Sequence, residues 1–359
     1  MRSTKAVIHL DAMQHNARLA KESAPESLLI GVIKADAYGH GAVQAAQALN
    51  TICDAFAVAF LDEAVSLMEN GVLKPLLLLE GFTTDEELEC VGLNGFWTVI
   101  HHPYQVDILR NYQGPELEHV TLKVDTGMHR LGLMPDEADA LITELKQNDR
   151  IKELSLTTHF SCSDELDKSN TQSQINKILA LAERHDLGIA MANSAGILGW
   201  PQSRATWNRA GIMLYGATPF ETSHPLGDQL KAVMSLEAPV IALREIAVGE
   251  CVGYGRNWSA QRPSLIATLA IGYADGYPRA INAGTEVWIN NQRAPIVGNV
   301  SMDMITIDVT DVHHVGLGSK VELWGKNICV NEIAAANNTI GYELLTKVTA
   351  RVPRSYEGL

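Results

Sequence analysis

The chain has 359 residues, of which 46% are hydrophobic and 19% are charged. This composition is typical of a globular protein with enough apolar material for a large core. The net charge of −14 argues against nucleic acid or an anionic membrane as the main partner. Its apolar stretches also fall short of the roughly 18 residues of a membrane span.

Cysteine usage and the N-terminal sequence indicate a cytoplasmic protein. The first residues, MRSTKAVIHLD, lack the apolar core of a signal peptide. Neither a disulfide framework nor a zinc site is predicted, because the number of cysteines is odd, their spacing is wide and the sequence has no C-x-x-C. The five are Cys53, Cys90, Cys162, Cys251 and Cys329.

Short apolar runs alternate with segments of helical length, such as 61–71 and 135–147, over the first two-thirds of the chain. Repeated β-then-α units imply a parallel sheet. Eight or nine units within about 220 residues favour an N-terminal (β/α)8 barrel of the TIM type over an open sheet. A dinucleotide-binding fold is further disfavoured because the sequence has no G-x-G-x-x-G. We predict strands at 6–10, 28–34, 55–60, 75–80, 96–101, 119–125, 154–160, 188–194 and 211–216.

The pattern changes after about residue 230. Short β-type segments separated by Gly, Pro and Asn turns predict a C-terminal all-β domain. We expect the boundary between Glu221 and Lys231, which divides the chain into a barrel domain at 1–228 and a β domain at 229–359.

Polar side chains follow the predicted barrel strands at their carboxyl ends, where barrel enzymes place their active sites. Carboxylates are sparse at these positions, so metal-dependent hydrolysis and paired-carboxylate glycoside hydrolysis are poorly supported and no metal site is predicted. The pattern favours a site for an anionic ligand, with one lysine available as an amine nucleophile. The residues are Lys34, Tyr38, Lys123, Arg130, His159, Asn193, Ser194, Arg209, Gly211 and Ile212.

Lys34 follows the apolar run LLIGVI, a predicted strand that should be buried on both faces. An ordinary lysine at such a strand end extends to solvent along its aliphatic stem. The alternative is a lysine that forms a Schiff base, which requires burial or neighbouring cations to favour the free amine. Tyr38, with Gly39 and Gly41 behind it, supports the second interpretation, because it adds a hydroxyl and a close backbone approach at the same strand end.

The segment IKADAYGHG resembles the pyridoxal-phosphate lysine motif of the alanine racemase family. Its K-A-D replaces a common K-A-N. The resemblance implies a barrel followed by a β domain, in agreement with the strand pattern, and an enzyme that interconverts L- and D-alanine. Nine further segments between residues 123 and 346 carry the resemblance in the same order: KVDTGMHRLGL, THFSCSDE, MANSAGI, NRAGIMLYG, VGYGRNW, IGYADGYPR, VGNVSMDM, VELWG and GYELLT.

The resemblance implies that Lys34 binds pyridoxal 5′-phosphate covalently. Arg209 is expected to face the pyridine nitrogen, where a guanidinium disfavours ring protonation. The ring is then a weaker electron sink, which favours reprotonation at Cα over transamination. The further cofactor residues that the resemblance implies are Tyr38, Arg130, His159, Asn193, Ser194, Gly211, Ile212 and Tyr342.

Tyr254 becomes the second acid/base on this resemblance, opposite Lys34. Racemisation needs one group to remove the Cα proton from one face and another to deliver a proton to the other face. The family implies a homodimer in which the partner subunit supplies the tyrosine. Arg130 is expected to bind the substrate carboxylate, and Lys123 to orient Arg130 if it is carbamylated, which is a hypothesis. The substrate-binding residues donated in trans would be Tyr254, Tyr273, Met302 and Asp303.

Three alternative functions remain open on the sequence. A barrel amino-acid decarboxylase would share Lys34 but should have a carboxylate in place of Arg209. A broad-specificity amino-acid racemase would share nearly every motif but is expected to be exported. A non-enzymatic pyridoxal-phosphate-binding protein would leave the β domain with Tyr254 unexplained. Cys162 near His159 suggests a Cys–His nucleophile, but no oxyanion-donor arrangement accompanies it.

Overall fold

The computed structural model describes residues 3–282 and 284–358. A first strand, β1 (Lys5–His9), precedes eight parallel strands that close into a barrel. The barrel closes where Leu28 pairs with Trp207. The predicted TIM-type barrel is therefore confirmed. Its strands are β2 (Leu28–Val32), β3 (Ala55–Val58), β4 (Leu76–Leu78), β5 (Trp97–Ile100), β6 (Val120–Lys123), β7 (Leu154–Thr157), β8 (Gly188–Ala190) and β9 (Trp207–Ala210).

Helices connect the barrel strands and cover them. In the first helix the buried residues include Leu10, Met13, Ala17 and Ala20, which recur every three to four positions and so form one apolar face. The helices are α1 (Leu10–Ser23), α2 (Lys34–Gly39), α3 (Ala42–Leu49), α4 (Leu61–Glu69), α5 (Asp85–Asn94), α6 (Pro103–Asn111), α7 (Pro135–Gln147), α8 (Asn170–His185) and α9 (Ser194–Gly199).

The C-terminal part is β-rich and also contains two short helices that the sequence pattern did not predict, α10 (Val330–Ala336) and α11 (Gly341–Lys347). An eight-stranded sheet forms its frame, beside a two-stranded hairpin. The strands are β10 (Met234–Ile246), β11 (Cys251–Val252), β12 (Trp258–Ser259), β13 (Ser264–Leu269), β14 (Glu286–Ile289), β15 (Gln292–Pro295), β16 (Ile305–Asp308), β17 (Lys320–Trp324) and β18 (Arg354–Glu357).

The first predicted strand lies in this C-terminal sheet rather than in the barrel. β1 pairs antiparallel with β10 and parallel with β18. A buried apolar strand carries no local signal of which sheet it joins, because its partners are more than 200 residues away in sequence. The domain boundary near residue 228 stays a prediction.

The predicted strand at 211–216 is wrong. The strand of this region is β9, and residues Ile212–Tyr215 form a 3₁₀ turn that ends at Gly216, where φ is 81°. The four turn residues are buried. A short, fully buried apolar run has no periodicity that distinguishes a strand from a helical turn.

Among the described residues, no helix combines the length and hydropathy that crossing a bilayer requires.

Candidate active site

The ten residues predicted to bind a cofactor line one cavity at the mouth of the barrel. Its volume is about 480 Å³. Four cations contribute to the wall, and Glu80 and Glu343 are its carboxylates, so the cavity suits an anionic ligand. The cations are Lys34, Lys123, Arg130 and Arg209, and the other predicted residues are Tyr38, His159, Asn193, Ser194, Gly211, Ile212 and Tyr342.

Lys34 begins α2, and the backbone that follows it turns in the left-handed sense. The four residues Ala35 to Tyr38 have φ between 51° and 53°. For residues with a Cβ this conformation costs roughly 1–2 kcal/mol each, so the surrounding structure must hold it. Lys34 and Tyr38 are four positions apart in the turn, and both face the cavity.

Two side chains of this segment hold the left-handed turn. Asp36 Oδ1 accepts the N–H of Ala42 at 2.8 Å. His40 Nδ1–H donates to the carbonyls of Ala37 and Tyr38, each at 3.0 Å. Burial lowers the pKa of His40 to about 4, so the ring is neutral at physiological pH and its proton lies on Nδ1.

Hydroxyl and backbone groups converge beside Gly211. Ser194 Oγ accepts the N–H groups of Gly211 at 3.0 Å and of Met213 at 3.3 Å. A Cβ on Gly211 would lie 3.0 Å from Tyr38 Oη and 3.8 Å from Ser194 Oγ, so it would fill the space between them. Burial raises the pKa of Tyr38 to about 12, so its hydroxyl remains a proton donor at neutral pH.

Asn193 caps the short helix α9 that carries Ser194. Its Oδ1 accepts the N–H of Gly196 at 2.9 Å and the hydroxyl proton of Ser163 at 3.0 Å. Asn193 therefore positions Ser194, in addition to lining the cavity.

Arg209 is a buried, fixed cation in the cavity wall. Its Nη1 donates to Thr157 Oγ1 at 2.9 Å and to the Ala190 carbonyl, and its Nη2 donates to the Thr158 carbonyl at 2.7 Å. Burial lowers the pKa of the guanidinium to about 10, which still leaves it charged at neutral pH.

His159 lies beside Arg209, with 3.5 Å between His159 Nδ1 and Arg209 Nη2. Burial and the neighbouring cations, Arg209 first, lower the pKa of His159 to about 3. The imidazole is therefore neutral. If Nδ1 accepts from the guanidinium, Nε2 carries the proton.

Lys123 ends β6, and Arg130 lies on the loop that follows and folds back on this strand. Asp125 Oδ1 accepts the N–H groups of residues 127, 128 and 129 at 2.9–3.1 Å, and the Leu133 N–H donates to the Lys123 carbonyl at 2.9 Å. Burial, followed by the charge of Arg209, lowers the pKa of Lys123 to about 8. A substantial fraction of this amine is therefore uncharged at mildly alkaline pH.

Several cavity residues were missed by the sequence analysis. Thr157 and Thr158 hold Arg209, and Glu80 lies near Lys123 and opposes the lowering of its pKa. Glu80 is the last residue of the strand predicted at 75–80, so the strand-end rule could have found it. Thr157 and Thr158 lie inside the strand predicted at 154–160, and only the observed end of β7 at Thr157 places them at the mouth of the barrel.

The residues predicted to act in trans lie outside this cavity, on loops of the C-terminal part. Tyr254 is 72% exposed and Met302 is 54% exposed. Backbone hydrogen bonds join two of the loops: the Tyr273 N–H donates to the Ser301 carbonyl and the Ala274 N–H to the Met302 carbonyl, both at 3.0 Å. Asp303 is exposed beside Met302. The roles of all the predicted site residues stay predictions.

A parallel barrel with a lysine at one strand end and a cavity lined by four cations defines the class of barrel enzymes with a lysine-bearing active site. Family models describe the chain more closely: "Alanine racemase, N-terminal domain" matches residues 8–219, and "Alanine racemase, C-terminal domain" matches residues 233–356. The chain belongs to the alanine racemase family, as the motifs predicted.

Individual relatives agree with this assignment over the full length. The catabolic alanine racemase of Pseudomonas aeruginosa is 45% identical over 358 residues, which is 100% of both chains. The crystal structure of the biosynthetic alanine racemase of the same species is 43% identical, with a TM-score of 0.96, and the match covers 99% of this chain and 100% of that one. An alanine racemase structure from Bartonella henselae with covalently bound pyridoxal phosphate is 31% identical, with a TM-score of 0.89 over 99% of each chain.

Proposed function

We propose that this chain interconverts L- and D-alanine with pyridoxal 5′-phosphate bound to Lys34. The observation that carries the proposal is the shared cavity, in which the lysine, the expected phosphate ligands and Arg209 line one space in a chain of the alanine racemase family. When bound, the cofactor supplies an electron sink that makes the substrate Cα–H acidic.

The residues present fit this cofactor. Two hydroxyls, from Tyr38 and Ser194, approach Gly211 at a point where any side chain would fill the space. Hydroxyl donors of this kind suit a phosphate group, and Ile212 and Tyr342 extend the same wall. Lys34 lines the same cavity and supplies the amine.

Arg209 favours racemisation over the other reactions of this cofactor. Its donors are held by barrel oxygens, so the charge cannot move away from the wall. A fixed cation here would disfavour a second positive charge on the ring nitrogen of a bound cofactor. We infer that such a site would favour reprotonation of the substrate at Cα. A barrel decarboxylase, expected to have a carboxylate at this position, is disfavoured for the same reason.

Two groups move the Cα proton in this proposal. Lys34 Nζ holds or accepts the proton on one face of the substrate Cα, and the phenol oxygen of Tyr254 does so on the opposite face. Neutral His159 accepts from the Arg209 guanidinium at Nδ1, and its Nε2–H would then donate to that phenol oxygen. Arg130 binds the substrate carboxylate at the mouth of the cavity.

We propose that the tyrosine comes from a second copy of this chain. Tyr254, Met302 and Met304 are exposed on the C-terminal loops, and Ile340 is 61% exposed at the cavity rim. Exposed large apolar side chains of this kind mark a surface that a partner covers. A homodimer would place Tyr254, Tyr273, Met302 and Asp303 of one copy over the cavity of the other.

We infer that Lys123 is carbamylated. Its pKa of about 8 makes the free amine available to carbon dioxide, and the new N–C bond with loss of a proton would create an anion that orients Arg130. Mass spectrometry under native conditions should show the added carbon dioxide, and acidification should remove it. An unmodified mass at neutral pH would contradict this.

We also infer that the reaction takes place in the cytoplasm. The described cysteines are all free thiols, as expected in a reducing compartment.

The decisive experiment is to incubate the purified protein with L-alanine in D₂O. Optical rotation should fall to zero while deuterium enters at Cα, and serine should be tested beside alanine to separate a broad-specificity racemase. K34A should lose both the exchange and the visible absorbance of the bound cofactor. Release of carbon dioxide, or alanine without deuterium, would contradict the proposal.

A further inference from the structure

Glu63 joins the ends of two neighbouring barrel strands through one carboxylate. It is the third residue of α4, which follows β3. Its Oε2 accepts the N–H groups of Ala59 at 2.7 Å and Phe60 at 3.4 Å. Its Oε1 accepts the N–H of Ala35 at 2.6 Å. Ala35 lies in α2, which follows the neighbouring strand β2, and it is the residue directly after Lys34.

The bonds to residues 59 and 60 are ordinary helix capping. The third residues of α5, α6 and α7 make the same type of bond to the backbone just before their own helices. Glu87 accepts the N–H of Thr83 at 2.6 Å, and Glu137 accepts the N–H of Met134 at 2.8 Å. Glu63 differs because its second oxygen reaches the turn that carries the lysine.

The Ala35 N–H needs an acceptor from outside its own turn. Ala35 is the second residue of α2, and the first N–H groups of a helical turn have no partner within that turn. Ala37 is the first residue of α2 whose N–H forms a hydrogen bond of the helical type, to the Ile33 carbonyl at 2.9 Å. A carboxylate acceptor makes a shorter and stronger bond than a neutral one, and here it acts on a backbone in the left-handed region.

We propose that Glu63 is a positioning residue for Lys34: its carboxylate fixes the left-handed turn and so sets the direction of the lysine amine. The inference rests on the proposed function of Lys34 and names a residue that does not line the cavity. Glu63 acts through the Ala35 N–H and touches neither substrate nor cofactor.

E63Q separates the two roles of this side chain. A glutamine side chain has one acceptor oxygen and one NH₂ group. If the oxygen continues to accept the N–H groups of Ala59 and Phe60, the NH₂ group faces the Ala35 N–H and cannot accept from it. E63Q should therefore keep the helix cap and lose the bond to the lysine turn. E137Q is the matched control, because Glu137 makes a capping bond of the same type at α7, with no bond to the lysine turn among the described residues.

Three measurements on the holoenzyme test the proposal. Amide hydrogen exchange of the segment 33–40 should be about ten-fold faster in E63Q and unchanged in E137Q. The pH at which the visible absorbance of the bound cofactor changes should shift in E63Q alone. The kcat for alanine should fall about ten-fold with little change in KM, because a displaced amine impairs the proton transfer more than substrate binding.

Melting temperatures of E63Q and E137Q within a few degrees of each other would show that the fold is intact in both. If segment 33–40 exchanges at the wild-type rate in E63Q and the absorbance titrates as in E137Q, the positioning role is wrong. That result leaves the proposed function standing, because the proposed function fails only if the wild-type protein lacks Lys34-dependent absorbance and Cα exchange.

Discussion

Tyr38 shows how one side chain gains a function from its surroundings. Its ring stacks on Tyr215, with 4.6 Å between ring centroids, and its hydroxyl reaches the space beside Gly211. The high pKa of about 12 that burial produces keeps this hydroxyl protonated. A protonated phenol at this point is suited to donate to an anion rather than to act as a base.

Y38F should weaken binding of pyridoxal phosphate about ten-fold, which corresponds to the loss of one hydrogen bond of about 1.4 kcal/mol to a charged group. Titration of the apoprotein with the cofactor measures the affinity. Y112F is the control, because Tyr112 donates its hydroxyl to the Pro115 carbonyl at 2.8 Å and does not line the cavity. Equal affinities for the two variants would contradict a phosphate contact by Tyr38.

At the scale of elements, the lysine turn α2 is packed against α11 of the C-terminal part. A Cβ on Gly39 would lie 2.5 Å from the Leu345 carbonyl oxygen, and Arg354 Nε donates to the Gly39 carbonyl at 3.1 Å. The C-terminal part therefore supports the turn that carries Lys34, in addition to any residues it gives to a partner subunit.

G39A should be more destabilising than G71A, although both glycines have nearly the same φ, +80° and +81°. A methyl group on Gly71 would have no atom within 4 Å, so G71A measures the left-handed penalty alone, about 1 kcal/mol. In G39A the same penalty applies, and the new methyl group also clashes with the Leu345 carbonyl oxygen, a backbone atom that cannot rotate away. Urea unfolding of both variants measures the difference, and equal free energies of unfolding would show that the α2–α11 contact is not tight.

At the scale of the whole molecule, buried neutral histidines predict a stability that depends on pH. Burial lowers the pKa of His40 and of His119 to about 4, and burial with nearby cations lowers that of His159 to about 3. The unfolded chain binds these protons near pH 6.5, so it gains protons first as the pH falls. Their contribution is fully present above pH 6.5 and is lost as the pH falls toward 4.

The free energy of unfolding should therefore be lower at pH 5 than at pH 7.5, by an amount on the order of 2 kcal/mol for each buried histidine. H119N should reduce this difference, because it removes one of the buried histidines. His119 packs against Trp97 in the barrel, with 4.6 Å between ring centroids, and its Nε2 forms a hydrogen bond with Ser155 Oγ at 2.7 Å. H313N, which replaces an exposed histidine, is the control. An H119N protein with the full pH dependence would exclude His119 as a contributor.

The proposed sharing of active sites between two subunits predicts complementation between inactive variants. K34A and Y254F should each be inactive alone, whereas a mixed dimer would contain one site with both residues intact. Random mixing should restore about one quarter of the wild-type sites, because half of the dimers are mixed and each has one intact site of two. Activity measured after co-expression, with separately purified and unmixed variants as controls, tests this. No recovery would place Lys34 and Tyr254 in the same chain.

Local patterns alone were enough to predict the barrel, the position of Lys34 at a strand end and ten residues that line one cavity, whereas Tyr342 was implied only by the family resemblance. These follow from the alternation of strands and helices and from the rule that the carboxyl ends of barrel strands meet at one mouth. The motif order identified the family. The strand and helix pattern, the strand-end residues and the family motifs can each be read from short segments of the sequence.

Only the tertiary structure decided the features that depend on distant partners. β1 joins a sheet whose other strands come from the opposite end of the chain, and the run at 212–215 becomes a turn inside the core. The left-handed turn after Lys34 is unfavourable for the residues that form it. Asp36 and His40 hold it locally, and Glu63, Arg354 and α11 hold it from outside. Contacts of the second kind leave no signal in the local sequence.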